Sequence, residues 1–314
     1  MAAAVAMLAA CGGGTSQIEP FAPNRLIVFG DDHSVIVNDG TANGRKYTVN
    51  GMTSDTLPLR DCTLLPNWVQ TLSDHYRFVF AECNKTGATP KAFMRAKVGA
   101  KVEDATTGLA RQVSEQTAAG GAFSAKDLVT VMLGANDIFE LSDAVLAGTL
   151  TDAQAVAEAR RRGAVLAGGV NGLLAANARV IVSTIPDLGL TPYAVKLNRT
   201  TPGVASRLSS LSYEFNATLR TSIDQTRFDG RNYGLVLTDD TVQTITRFPA
   251  DFGYSNAVDG VCAVALPNCT SATADLVAGG NAATYVWADD KHFTPSIHAR
   301  VGSQALTRAL NNPF

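Results

Sequence analysis

Short apolar runs that each stop at a turn residue or a polar cluster constrain this chain more than any other feature. Arg25-Leu-Ile-Val-Phe29 ends at Gly30-Asp31, and Leu128-Val-Thr-Val-Met-Leu133 ends at Gly134-Ala-Asn-Asp137. Arg179-Val-Ile-Val-Ser-Thr184 is stopped by Pro186, and Leu235-Val-Leu237 reads as a further short strand. Runs this apolar and this β-branched suit strands buried on both faces, which is the condition of a parallel sheet. The segments between them have helical spacing. Trp68, Val69, Leu72 and Tyr76 fall on one face of Asn67 to Phe78, as do Val156, Ala159, Leu166, Val170 and Leu173 within Thr151 to Asn177. Ala205 to Phe228 and Ser296 to Leu310 read as helices too. Ala100 to Thr117 reads as polar and irregular, and Asp39 to Arg45, Asn50 to Met52 and Phe248 to Gly280 as loops. Strands alternating with helices, joined by connections long enough to cross over, predict an α/β domain with a parallel sheet covered on both faces. No internal repeat divides residues 25–314, so one domain is expected there.

Composition narrows the class. Hydrophobic residues make up 46% and charged residues 17%, with a formal net charge of -2. That is a folding composition, and it lacks the basic stripe a nucleic-acid partner would need. The N-terminal run MAAAVAMLAA, followed by Cys11 and three glycines, is too short to span a bilayer but suits the apolar part of an export signal. Leu8-Ala9-Ala10-Cys11 resembles a bacterial lipoprotein processing site. Cys11 is then the lipidation site and residues 1–24 a signal and tether. The protein is expected to be an exported lipoprotein, at the outer membrane or facing the periplasm. A plain secretory signal is the alternative. With Cys11 set aside, Cys62, Cys83, Cys262 and Cys269 remain, an even number whose simplest pairing is local: Cys62 with Cys83 and Cys262 with Cys269. A metal site is the rival use, though neither CxxC spacing nor clustered histidines accompany it.

Four polar clusters could carry chemistry, and three of them lie just after a strand, where reactive groups gather in parallel sheets. In Asp289-Asp290-Lys291-His292 a carboxylate three residues before a histidine can fix its tautomer and leave the other ring nitrogen free to move a proton. His298 reads as a packing or surface residue of the last helix. Asn136 can donate to a developing oxyanion or cap the next helix. Gly99 offers a backbone N–H, or is only a turn glycine. Phe29-Gly30-Asp31-Asp32-His33-Ser34 places three titratable residues at the carboxyl edge of the sheet.

These clusters, in this order, resemble the four sequence blocks of the GDSL/SGNH ester hydrolases, and the resemblance runs from about Arg25 to His298. It implies a three-layer α/β/α sandwich around a mostly parallel sheet of about five strands. It also implies esterase or lipase chemistry, in which a serine hydroxyl activated by a histidine–aspartate pair attacks an ester carbonyl. Asp289 and His292 match the pair, while Gly99 and Asn136 match the oxyanion donors. The implied partner is an acyl-ester small molecule, lipid or acylated polymer, met by a monomer without cofactor or resident metal. One position departs from the pattern: Asp32 stands where the nucleophilic serine belongs. Three readings follow. Ser34 substitutes as a displaced nucleophile; or Asp32 and His292 act together on a water; or covalent catalysis is lost and a binding or structural lipoprotein remains.

Overall fold

The computed structural model describes residues 21–54, 59–226 and 231–311. Cys11, the export run and most of the tether lie outside the described residues. Five strands form one parallel sheet: β1 (Arg25–Gly30), β2 (Ala92–Met94), β3 (Asp127–Met132), β4 (Arg179–Ser183) and β5 (Tyr233–Val236). Their spatial order is β2-β1-β3-β4-β5. Around it pack α1 (Trp68–His75), α2 (Leu109–Gly120), α3 (Ala135–Leu146), α4 (Asp152–Ala175), α5 (Pro192–Thr200), α6 (Val204–Ser222), α7 (Thr238–Arg247) and α8 (Pro295–Asn311). This is the expected α/β architecture.

The strands are apolar throughout because both faces are covered. Ile27, Phe29, Val129, Val131, Val180 and Val182 enter the core shared with α3, α4 and α6. Leu26, Val28, Leu128 and Ile181 enter the opposite core, with Trp68 and Leu72 of α1 and Ile297 and Val301 of α8. Each such side chain contributes roughly 1.5–3 kcal/mol when fully buried. A one-residue slip of any strand would exchange the two cores, so the register is strongly specified. Local signals set the helix starts. Asn67 with Gln70 and Thr151 with Gln154 form reciprocal capping boxes at α1 and α4.

Three segments differ from the sequence reading. Ala100 to Thr117 is not irregular, because α2 occupies Leu109–Gly120. Its inward face carries the buried amides Gln112 and Gln116, which hide the apolar period. Both are paired, Gln112 with the backbone of Gly30 and Gln116 with Arg95. The long helix expected over Ala205 to Phe228 ends at Ser222, and α5 and α7 are further helices. The region after Phe248 is not all loop, since Asn256–Gly260 pairs in parallel with Tyr285–Trp287. The disulfides join Cys62 to Cys83 and Cys262 to Cys269, as the local pairing predicts. Among the described residues no helix is long and apolar enough to cross a membrane.

β1 has β2 on one side and β3 on the other, so the strand order reverses there. In open parallel sheets the crevice beyond such a reversal, at the carboxyl ends of the strands, is where ligands bind. The loops carrying Asp32 and Asn136 leave β1 and β3 at that crevice.

Candidate active site

Gly30 ends β1 with φ +154°, and a Cβ there would meet the Met132 carbonyl at 2.4 Å and Ser34 Oγ at 2.9 Å. Only glycine lets the chain turn this close to β3. The Gln112 side chain holds the turn, accepting from Gly30 N–H and donating to Gly30 O, both at 2.8 Å. Asp31 folds the loop inward: its carbonyl receives the amides of Ser34 and Val35, and its Oδ1 receives the amide of His33 at 3.1 Å.

Asp32 follows, only 7% exposed. Its carboxylate sits on the two donors singled out in the sequence. Gly99 N–H donates to Oδ1 at 3.1 Å and to Oδ2 at 3.0 Å, and Asn136 Nδ2 donates to Oδ2 at 2.9 Å. Asn136 also donates to the Ala100 carbonyl at 3.1 Å, which aims its amide across the crevice. The start of α3 is fixed by Gly134 (φ +127°), where a Cβ would lie 2.4 Å from the Phe215 ring. Asp137, also in this first turn, does not face the crevice. It accepts from Val102 N–H and from Arg162, and burial pushes its carboxyl up to about 6.

The Asp289–His292 turn stands alongside. His292 Nδ1 lies 2.9 Å from both Asp289 oxygens, and Asp289 Oδ1 also receives the amides of Lys291 at 2.8 Å and His292 at 2.7 Å. Burial pushes the Asp289 carboxyl up, but the hydrogen bond and charge of His292 outweigh it and hold the group below the usual carboxylate range. His292 Nε2 has no partner among the described residues. The turn is pinned from outside: Lys291 lies over the Phe139 and Tyr193 rings, and Asp290 pairs with Lys196 at 2.5 Å.

Ser34 is not brought to His292. It is fully buried, and its hydroxyl accepts the Trp68 indole N–H at 3.1 Å while its carbonyl accepts from Asn67. His298 is buried in α8, edge-on to Phe293, and burial, reinforced by the charges of His33, Lys46 and His292, holds it well below the ordinary histidine range.

One residue of the crevice, Tyr47, carries no sequence signal. Tyr47 places its ring 5.3 Å from that of His292, held there because the neighbouring Thr48 hydroxyl donates to the Phe293 carbonyl at 2.7 Å. Burial, and then the charges of Asp32 and Asp289, push the Tyr47 phenol up. Next to it Lys46 is fully buried and donates to the carbonyls of Cys62, Leu64 and Leu65. His33, flagged only as one of three titratable neighbours, packs 5.5 Å from the His292 ring with Nδ1 3.3 Å from Asp31. Burial lowers it, yet Asp31 and the charges of Asp32 and Asp289 outweigh burial and raise it. Among the described residues no group of three or more His, Cys, Asp or Glu is arranged to hold a metal.

The model of the family of GDSL-like lipases/acylhydrolases matches residues 29–305. A search of curated protein sequences returns no match. Among solved structures, a member of the lipolytic protein G-D-S-L family from Veillonella parvula is similar at 12% identity and a TM-score of 0.41, over 90% of this chain and 96% of that one. LAE5, an alpha/beta hydrolase enzyme from the metagenome of Lake Arreo, Spain, is similar at 15% identity and a TM-score of 0.45, over 93% and 97%.

Proposed function

From the premise that this chain belongs to the GDSL-like lipase/acylhydrolase family, we propose that it hydrolyses a carboxylic ester at the position of Asp32, with water activated by His292. Asp289 orients the ring and stabilises the imidazolium that forms, and Nε2 takes the proton of the attacking water. In this reading the oxyanion that develops on the ester carbon displaces Asp32 from Gly99 N–H and the Asn136 amide, and the freed carboxylate holds the attacking water with His292. The observation that carries this reading is the carboxylate of Asp32 seated on those two donors, on a loop whose next residue, His33, packs 5.5 Å from the ring of His292 in its pair with Asp289. Ser34 has no part in it, since its hydroxyl is engaged by Trp68 beneath the loop.

A binding-only reading is favoured by the same occupancy, because an anion already on the donors excludes an oxyanion supplied by a ligand. Export with Cys11 as the lipid attachment, and residues 1–24 as signal and tether before one domain at 25–314, belongs to the same proposal. The two disulfides support it, because such bonds persist in oxidising compartments.

The test is turnover of p-nitrophenyl esters of several acyl lengths by the full chain and its D32N, H292A and S34A variants. The proposal expects loss in D32N and H292A and retention in S34A. Loss in S34A with native stability would instead make Ser34 the nucleophile. A folded parent without turnover on these esters or on the probe introduced below would establish the binding reading.

A further inference from the structure

We propose that the ester hydrolysed here is one that Asp32 itself makes: the substrate carries a leaving group on a saturated carbon, and Asp32 captures that carbon as an alkyl ester. This rests on the preceding reading, that His292 drives water at the Asp32 position, and it names the substrate class.

The chemistry of the carboxylate decides between two electrophiles. Attack by Asp32 on an acyl carbon would give a mixed anhydride and would need donors for the substrate's oxyanion, yet Gly99 N–H and Asn136 Nδ2 are already engaged by Asp32 Oδ2. Attack on a saturated carbon gives an ordinary ester, and no oxyanion forms in that step. The two carboxylate oxygens are held unequally, as this requires. Oδ2 receives two donors, whereas Oδ1 receives only the longer branch of the shared Gly99 N–H, at 3.1 Å. The less engaged oxygen is the nucleophile, and near-complete burial of Asp32 strips it of most competing water.

The bookkeeping closes. An Oδ1 lone pair forms the new O–C bond as the C–X bond breaks, and X departs as an anion with the bonding electrons. Water then attacks Cγ of Asp32 while His292 Nε2 takes its proton, and the negative charge of the tetrahedral intermediate falls on Oδ2. That atom already sits on Gly99 and Asn136, so the oxyanion site is assembled for the enzyme's own ester and nothing has to move into it. The intermediate collapses with release of the alkoxide oxygen that was Oδ1, which takes the proton from His292, and the second proton of the attacking water leaves the Asp32 carboxyl to solvent and restores the carboxylate. The sum is R–X and water to alcohol and HX. The ring of Tyr47, 5.3 Å from that of His292, gives the crevice an aromatic wall, which suits an uncharged alkyl group.

The probe is 1-bromohexane with the full chain, read by bromide release and by intact-protein mass. The parent is expected to release bromide steadily. H292Q is expected to release about one equivalent and to accumulate a hexyl adduct on the peptide containing Asp32, and D32N to do neither. In H2(18)O, a single turnover is expected to place the label in the Asp32 carboxylate and not in the hexanol. Label in the hexanol, or an unmodified H292Q, would overturn the alkyl-ester step. p-Nitrophenyl ester turnover that depends on Asp32 and His292, without bromide release, would leave the hydrolase reading standing and remove this one. A folded parent inert to both probes would remove both.

Discussion

Replacing Ser34 by alanine separates the nucleophile question from the folding question. The Ser34 hydroxyl is buried and its one side-chain contact of consequence is the Trp68 indole N–H at 3.1 Å. Trp68 is itself fully buried on the inward face of α1, so water cannot replace the lost acceptor. Leaving one buried donor unpaired costs about 1–3 kcal/mol. For a chain of this size, at about 2 °C per kcal/mol, the expected loss is about 2–6 °C in Tm. The single oxygen removed leaves too little space for water to enter, and no contact to His292, Asp32, Gly99 or Asn136 is broken. S34A is therefore expected to melt a few degrees lower and to keep its turnover on p-nitrophenyl esters and 1-bromohexane. Scanning calorimetry and initial rates on the same preparation measure both quantities. An unchanged Tm with turnover abolished would refute the reasoning and return Ser34 to the role of nucleophile.

Asp32→Ser vacates the two donors and puts a hydroxyl at the position they serve. Oxyanion donors are worth on the order of 10²-fold in rate, so D32S is expected to exceed the parent on p-nitrophenyl esters by a factor of that order while losing bromide release. A D32S variant no faster than the parent would mean that Asp32 does not block the donors. Lys46→Met strips donors from three backbone carbonyls at 3.0, 2.8 and 2.9 Å. A loss of about 3 kcal/mol or more is expected in urea unfolding, and a loss under 1 kcal/mol would count against it. His298 is held well below the ordinary histidine range by burial first and by neighbouring positive charges second. Below about pH 6.5 the unfolded chain binds a proton there that the native chain does not, so stability falls as pH drops, by about 1.4 kcal/mol per unit. H298L lacks this contribution. Its stability relative to the parent is expected to improve as pH falls from 6.5, and a constant difference across that range would sink the assignment.

The sequence by itself determined the sheet and most of its covering. Strand runs apolar on both faces have no stable environment except between two helical layers, so β1, β3 and β4 could be read to within one residue at each end, and apolar spacing placed helices beginning near Asn67 and Thr151. It also named Asp32, Gly99, Asn136, Asp289 and His292, each with ordinary uses when taken alone, because together and in order they match the sequence blocks of one hydrolase family. α2 was hidden, since its inward face carries the amides of Gln112 and Gln116, whose partners Gly30 and Arg95 lie elsewhere in the chain. Tyr47 was invisible for the same reason: what places it against His292 is a hydrogen bond from Thr48 to Phe293, a pairing across 245 positions of chain. The fate of Ser34 and Asp32 was likewise a tertiary decision. Both lie in one short loop, and spacing alone allows either to face the histidine. The buried indole of Trp68 draws Ser34 inward, and the donors on the loops after β2 and β3 receive Asp32. Which side chain meets the crevice is set by partners distant in sequence, where local patterning carries no information.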